Sequence, residues 1–236
     1  MNNSYLIRTE HLTKIYPMGM TTLVALKNVN LSFNKGEFAG LVGPSGSGKT
    51  TLLNILGSLD SPSEGSAEVM GNKVEKLSHK SAALLRNHHM GFIFQTYNLL
   101  PVYTVFENVE FPLLLQDLPP SDRKKLVDEA LEWVGLAERA GSKPAQLSGG
   151  QSQRVAIARA IVKKPELILA DEPTANLDAE NSHHIMKTMV QLNEKLDTTF
   201  IFATHDEKVM TYLKRKIFLN DGKVIRDETI TPEVVN

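Results

Sequence analysis

The chain has 236 residues, which at roughly 150 residues per domain allows one large α/β domain or a core carrying an inserted subdomain. Hydrophobic residues at 42% and charged residues at 22% sit near globular averages, which excludes disordered and fibrous chains. The 26 Lys and Arg offset 27 Asp and Glu to a formal charge of −1, so no global field grips nucleic acid, and the absence of cysteine removes disulfides and thiolate metal sites.

No apolar run approaches the roughly 18–20 residues of a bilayer span; Phe111-Pro112-Leu113-Leu114-Leu115 is far too short. The start, Met1-Asn2-Asn3-Ser4-Tyr5, lacks the basic and apolar segments of a secretory leader. A soluble, cytosolic chain is expected, reaching a membrane only through a partner. No internal repeat or low-complexity tract is visible.

The first third reads as strand-rich. Val29, Leu31 and Phe33 alternate with Asn28, Asn30 and Ser32, the period-two pattern of a half-buried strand. After the turn Lys35-Gly36-Glu37, the run Phe38-Ala39-Gly40-Leu41-Val42 suits a buried parallel strand. It leads into a glycine-rich loop and a helix from Thr51 to Gly57. From about Asn98 to Lys163 the pattern turns helical. Leu126, Val127, Ala130, Leu131 and Val134 recur at helical spacing after Pro119-Pro120, and Val155, Ala158, Ile161 and Val162 do so after Gly149-Gly150. Two more apolar strands follow, Leu167–Ala170 and Phe200–Ala203, separated by a helix with Ile185, Met189, Leu192 and Leu196 on one face and Asp178 as its N-cap. Strands alternating with helices predict an α/β chain with a parallel-sheet core, 1–97 and 164–236, and a helical insertion at 98–163.

The loop Gly43-Pro44-Ser45-Gly46-Ser47-Gly48-Lys49-Thr50 fits G-x-x-x-x-G-K-[ST] between a strand and a helix. Glycines let successive N–H groups turn toward phosphate oxygens, and the following helix adds its positive end. Lys49 reaches the β- and γ-phosphates and the Thr50 hydroxyl is a Mg²⁺ ligand. Leu167-Ile168-Leu169-Ala170-Asp171-Glu172 is an apolar strand ending in two carboxylates, where open α/β sheets bind ligands. Asp171 would hold Mg²⁺ through water and Glu172 would take a proton from the attacking water. A GTPase would need Asn/Thr-Lys-x-Asp; Thr13-Lys14-Ile15-Tyr16 lacks the Asp, and in Asn193-Glu194-Lys195 the Lys does not follow Asn.

Leu147-Ser148-Gly149-Gly150-Gln151, continuing Ser152-Gln153-Arg154-Val155-Ala156-Ile157-Ala158-Arg159-Ala160, resembles the signature motif of ATP-binding-cassette (ABC) ATPases. The resemblance runs from about Leu6 to Ile225. It implies a P-loop ABC ATPase fold in one domain, with a RecA-like parallel-sheet core, an N-terminal antiparallel β subdomain and the inserted helical subdomain. It further implies that Gln95, after Gly91-Phe92-Ile93-Phe94, contacts Mg²⁺ and the lytic water, and that His205 contacts the γ-phosphate. Tyr16 would stack on adenine. The nucleotide would be held by Gly43 to Thr51 of one subunit and by Ser148, Gly149, Gly150 and Gln151 of the other, with Asp178 in the intervening loop. Catalytic roles fall on Lys49, Gln95, Glu172 and His205, and metal roles on Thr50, Gln95 and Asp171. His88-His89 and His183-His184 read as surface pairs, since no third ligand matches them.

The implied partners are a second copy, paired head to tail around two ATP molecules, and permease subunits contacted near Thr96 to Tyr103, where Tyr97, Leu99, Leu100 and Val102 are apolar. No nucleic acid is expected. The chain would sit peripherally on the inner face of the cell membrane. Tyr16-Pro17-Met18-Gly19, Leu56-Gly57-Ser58-Leu59-Asp60-Ser61-Pro62, Thr96-Tyr97-Asn98-Leu99-Leu100-Pro101 and Asn108 to Leu113 are similar to the branch of lipoprotein-release and macrolide-export ATPases. Ala175 and Ser152 depart from that branch, which usually has Gly and often Gln. The alternatives are a regulatory or mechanical ABC ATPase of the cell-division type and a soluble one of DNA repair or translation. With the sequence running to Asn236, about 30 residues after His205, no substantial C-terminal regulatory domain is expected.

Overall fold

The computed structural model describes residues 5–230. Segments 1–4 and 231–236, on which the readings of a missing leader and a missing C-terminal domain rest, lie outside the described residues. In chain order the strands are β1 (Ile7–Met18), β2 (Thr21–Phe33), β3 (Phe38–Val42), β4 (Glu64–Val69), β5 (Asn72–Lys73), β6 (Met90–Ile93), β7 (Leu167–Asp171), β8 (Thr199–Thr204), β9 (Arg215–Asn220) and β10 (Lys223–Thr229). The helices are α1 (Lys49–Leu56), α2 (His79–His89), α3 (Val105–Glu110), α4 (Pro120–Trp133), α5 (Gly149–Ile161), α6 (Ala179–Leu196) and α7 (Glu207–Met210). No helix of the described residues is long and apolar enough to cross a membrane.

Two sheets form. One is antiparallel, ordered β2-β1-β4-β5; the other is ordered β10-β9-β3-β8-β7-β6. In the second, β3, β6, β7, β8 and β9 run parallel and β10 is an antiparallel edge. Its central strands are buried on both faces, and their period-two alternation sorts side chains into two cores. Phe38 and Val42, Ile168 and Ala170, and Phe200 and Phe202 enter a core shared with α3 to α6. Ala39 and Leu41, Leu167 and Leu169, and Ile201 and Ala203 enter the other, with α1 and the antiparallel sheet. The Phe38 and Phe202 rings, 4.7 Å between centroids, anchor the first. The helices of 98–163 therefore share their core with one face of the sheet.

Several elements start where side chains satisfy the orphan N–H groups of a first turn. Thr104 and Glu107 cap α3 reciprocally, Ser148 and Gln151 do the same for α5, and Asp178 accepts from Asn181 N at the head of α6. One helix was not anticipated: α2, which precedes β6 and packs Leu85 into the core of α1 and the antiparallel sheet. The helix α2 buries only Leu85, so it carries no apolar stripe to be read. The final pair β9–β10 also escaped the pattern, because β10 is exposed along most of its length.

The expected apolar cluster after Gln95 divides. Leu99 packs against the helical core, whereas Val102 is 71% exposed. The loop is fixed from beneath by Asn108, fully buried. Its Oδ1 accepts from Leu100 N at 2.8 Å, and its Nδ2 donates to Leu100 O, Tyr103 O and Thr104 O at 3.1, 3.2 and 2.9 Å. Replacing it with an isosteric apolar residue strands buried backbone groups, at a cost of about 1–3 kcal/mol. Asn108→Leu is expected to lower stability by about that amount in a denaturant melt and to speed amide exchange between residues 100 and 104. An unchanged midpoint and exchange pattern would show that the loop is held by other contacts.

A candidate nucleotide site at the strand ends

The loop leaving β3, the carboxylates ending β7 and the histidine after β8 come from neighbouring parallel strands, so they emerge at one edge of the sheet. They line a cleft of about 610 Å³ with Tyr16, Ser45, Gly46, Gly48, Lys49, Thr50, Thr51, Gln95, Asp171, Glu172 and His205. These are the residues that sequence reasoning assigned to one subunit's share of the site, apart from Gly43, Pro44 and Ser47. Gly43 O and Pro44 O instead accept from Lys49 Nζ at 2.7 and 2.9 Å. Ser47 is buried, its hydroxyl without a hydrogen-bond partner among the described residues.

Gly48 caps α1 with φ of 101°, a left-handed conformation that strains any other residue. Its turn aims Lys49 and Thr50 into the cleft. Burial lowers the Lys49 ammonium from its usual value, against the pull of Glu172 and Asp171. The Thr50 hydroxyl donates to Asp171 Oδ2 and Oδ1 at 3.0 and 3.2 Å. Burial raises Asp171; the Thr50 hydrogen bond lowers it, Glu172 raises it further and Lys49 lowers it. Thr50 and Asp171 thus converge on one point beside Gln95 with oxygen donors only, the chemistry that suits Mg²⁺. Among the described residues no cluster of three His, Asp or Glu could hold a metal by itself, so such an ion would lean on a phosphate ligand.

Glu172 has φ of 45°, the left-handed region that a β-type terminus avoids. Its N–H donates to Ala203 O at 2.9 Å, which pins the turn. Thr204 Oγ1 donates to Glu172 Oε2 at 3.3 Å, and His205 Nδ1 lies 2.6 Å from Oε1. A carboxylate oxygen there can accept from the Nδ1–H tautomer of the imidazole. Glu172 is mostly covered and His205 mostly exposed.

Tyr16 lines the cleft and donates to Asp60 Oδ2 at 2.7 Å. Burial, then Asp60, raises its phenol. Lys14 pairs with Asp60 at 2.5 Å and stands over the Tyr16 ring at 4.9 Å. Sequence reasoning did not assign Lys14 or Asp60 this bracing role, because the pair is 46 residues apart and only strand pairing unites it. Leu23, Val24, Ala25, Lys27, Asp221 and Gly222 also border the cleft without having been anticipated.

Ser148, Gly149, Gly150, Gln151 and Asp178 do not line this cleft. Ser148 and Gly149 are exposed at the head of α5. Gly150 is buried against α6, where a Cβ would meet Asn181 Oδ1 at 2.6 Å; Asn181 in turn donates to Asp178 through N and Nδ2, both at 2.8 Å. The loop after Glu172 reaches the other way, with Asn176 Nδ2 donating to Gln95 O at 2.8 Å. Arg159 of α5 donates to Tyr97 O and Asn98 O, each at 2.6 Å, an anchor the motifs did not disclose. The two histidine pairs hold no metal cluster: His89 meets Glu166 and His183 meets Tyr212.

The profile of the family described as ABC transporter matches residues 26–175. The lipoprotein-releasing system ATP-binding protein LolD of Pseudoalteromonas translucida is 45% identical over 227 residues, covering 96% of this chain and 98% of that one. A solved dimeric structure of a bacterial ABC transporter cassette is 43% identical, with a TM-score of 0.88, covering 95% of this chain and 99% of that chain. A dimeric structure of a cassette in a post-hydrolysis state, bound to ADP and phosphate, gives the same identity, TM-score and coverage. With the phosphate loop, paired carboxylates and signature helix arranged as above, the chain belongs to the ABC transporter family and has the fold of its ATPases.

Proposed function

We propose that this chain is the ATP-binding and ATP-hydrolysing subunit of an ABC transporter, working as a head-to-tail homodimer that drives permease subunits toward export or extraction of lipoproteins, peptides or drugs. The observation carrying this reading is the division of the parts. Lys49, Thr50, Asp171, Glu172 and His205 share one cleft, while Ser148 and Gly149 lie exposed outside it at the head of α5. A nucleotide in the cleft would be covered by the signature of a second copy, whose helix N-terminus offers N–H groups to its phosphates. The relative named for lipoprotein release and the dimeric neighbour holding ADP and phosphate support it.

The residues suggest how turnover proceeds. Lys49, now bridging Gly43 O and Pro44 O, would exchange part of that contact for phosphate oxygens. Thr50, Gln95 and Asp171 would hold Mg²⁺, Asp171 through water, and the ion supplies positive charge to the β- and γ-phosphates. Glu172, fixed by Thr204 and His205, accepts the proton of the attacking water. His205, exposed beside it, reaches toward the γ-phosphate. Tyr16, braced by Asp60, presents a ring face to adenine.

The permease reading centres on Thr96 to Tyr103. Beside this loop runs a groove of about 480 Å³ walled by Leu59, Phe92, Phe94, Leu100, Phe111 and Leu115. Leu59, Val102, Tyr103, Phe111, Leu114 and Leu115 are all exposed, more apolar surface in one region than a chain leaves in water without a partner. Attachment there would hold the chain on the inner face of the membrane.

Lys49→Ala is expected to weaken ATP binding by roughly tenfold to a hundredfold, the worth of a charged hydrogen bond of about 1.5–3 kcal/mol, in a fluorescent-nucleotide titration. Unchanged affinity would remove Lys49 from the site. Glu172→Gln keeps ATP binding, loses turnover by about 10²-fold or more, and elutes as a dimer on size exclusion with ATP; an ATP-bound monomer at high concentration would count against the paired mechanism. The cysteine-free chain allows single-site crosslinking in membranes. A cysteine at Val102 should link to a membrane subunit and one at Glu68, on the antiparallel sheet, should not; the reverse result would move the permease contact elsewhere.

A further inference from the structure

The base end of the nucleotide cleft is walled by Tyr16 with Leu23, its partner across β1 and β2, and by Val24. Lys14 and Asp60 stand behind this wall and do not line the cleft themselves. Lys14 and Tyr16 are two apart on β1, so their side chains rise on the same face of the strand. The Lys14 ammonium lies over the Tyr16 ring, 4.9 Å from its centre. Its other directions are taken: Asp60 Oδ1 accepts from it at 2.5 Å and Ser61 O at 2.8 Å. Asp60 Oδ2 accepts from the Tyr16 hydroxyl at 2.7 Å, and Ser61 N donates to Asp60 Oδ1 at 2.7 Å. Burial raises the Asp60 carboxyl, but Lys14, Tyr16 and Ser61 N more than reverse this and leave it below the usual carboxylate range. The Lys14 side chain is only 12% exposed, so its charge acts on the ring through little water.

A tyrosine ring has two faces. Lys14 takes the one turned away from the cleft, and the face left open is the one a base would meet. The ammonium draws on the π electrons of the ring, and a ring so depleted attracts the electron-rich face of a purine more strongly. Orientation is fixed as well. The hydroxyl held by Asp60 stops the ring from swinging, and the ammonium on its back stops it from tilting. Asp60 follows shortly after the end of α1, and Thr51 within α1 hydrogen-bonds the Tyr16 phenol. The helix that carries Lys49 and Thr50 thus also holds the ring, which keeps the base wall at a set distance from the phosphate loop.

We propose that Lys14 is a positioning residue which, tethered by Asp60, gives the cleft a preference for purine over pyrimidine nucleotides. The proposal rests on the stacking role of Tyr16 proposed above and adds what sets the strength and selectivity of that stack. A purine covers the whole phenol ring and a pyrimidine only part of it. The pull of Lys14 acts through that overlap, so it widens the difference between them. A ligand without a base does not feel Lys14.

The test measures binding of ATP, CTP and inorganic tripolyphosphate, each with Mg²⁺, to the purified chain by titration calorimetry. ATP is expected to bind more tightly than CTP. Lys14→Met should weaken ATP about threefold to tenfold, shrink the ratio of ATP to CTP affinity and leave tripolyphosphate unchanged. The last result also certifies an intact phosphate loop. Asp60→Asn, which frees the tether, should shrink the ratio in the same direction. Lys14→Arg, which keeps a cation over the ring, should recover most of the ATP affinity and of the ratio. Equal loss of all three ligands in Lys14→Met, or a loss that Lys14→Arg does not recover, would reduce Lys14 to a structural brace and overturn the proposal. An unchanged ratio in Lys14→Met and Asp60→Asn would overturn it too. Tyr16→Ala separates the two readings. If it lowers ATP affinity while Lys14→Met does not, stacking stands and the part of Lys14 falls; if it lowers nothing, stacking falls with it.

Discussion

Parallel pairing of β3, β7 and β8 is the constraint on which the rest depends. Because β8 pairs with both neighbours in the same direction, the three strands must end at one edge, and whatever follows each of them meets there. The register brings Val42 opposite Thr204 and Asp171 opposite Ala203. One residue later in each strand the chain has turned into the phosphate loop, Glu172 and His205. The hydrogen bond from Thr50 to Asp171 spans 121 residues of sequence, yet it needs no further device than this pairing and the glycine turn before α1. Burial on both faces makes the strands rigid, which suits groups whose value lies in their position.

The same edge explains why the rest of the ATPase is exposed to events at the cleft. Gln95 stands at the exit of β6, the neighbour of β7, and its carbonyl is held by Asn176 from the loop beyond Glu172. Tyr97 and Asn98 both adopt positive φ, a costly stretch for non-glycine residues. It persists because Arg159 takes both carbonyls. A shift of Gln95 would therefore be felt along α5, at whose head Ser148 and Gly149 face solvent. Strain and anchor together form a mechanical link between the loop after Gln95 and the solvent-facing head of α5.

How much of this could be read beforehand depended on where the physics is local. The phosphate loop, the apolar strands before Gly43 and Asp171, the Asp178 cap and the helical faces of α4, α5 and α6 each carry their signal within a few residues, and they were legible. The helix α2 was not, because it buries one leucine and its remaining length has no stripe. Asp60 beneath Tyr16 and Arg159 beneath Asn98 were silent for another reason: their partners are set by tertiary pairing, 44 and 61 residues away. The apolar cluster after Gln95 was visible as a cluster, but which members turn inward was decided by Asn108, a polar residue that no hydrophobic pattern records.

The division of the central sheet into two cores has a consequence for how the chain tolerates change. Along β8, Phe200 and Phe202 press on the helices while Ile201 and Ala203 press on α1 and the antiparallel sheet. Residues adjacent in sequence thus answer to separate compartments. Truncating Phe202 loosens the side that carries the signature helix; truncating Ile201 loosens the side that carries the phosphate-loop helix. Such neighbours have their side chains in different clusters and stay coupled only through the strand's own backbone. The sheet is then a partition as well as a scaffold, dividing the side chains that support the phosphate-loop helix from those that support the signature helix.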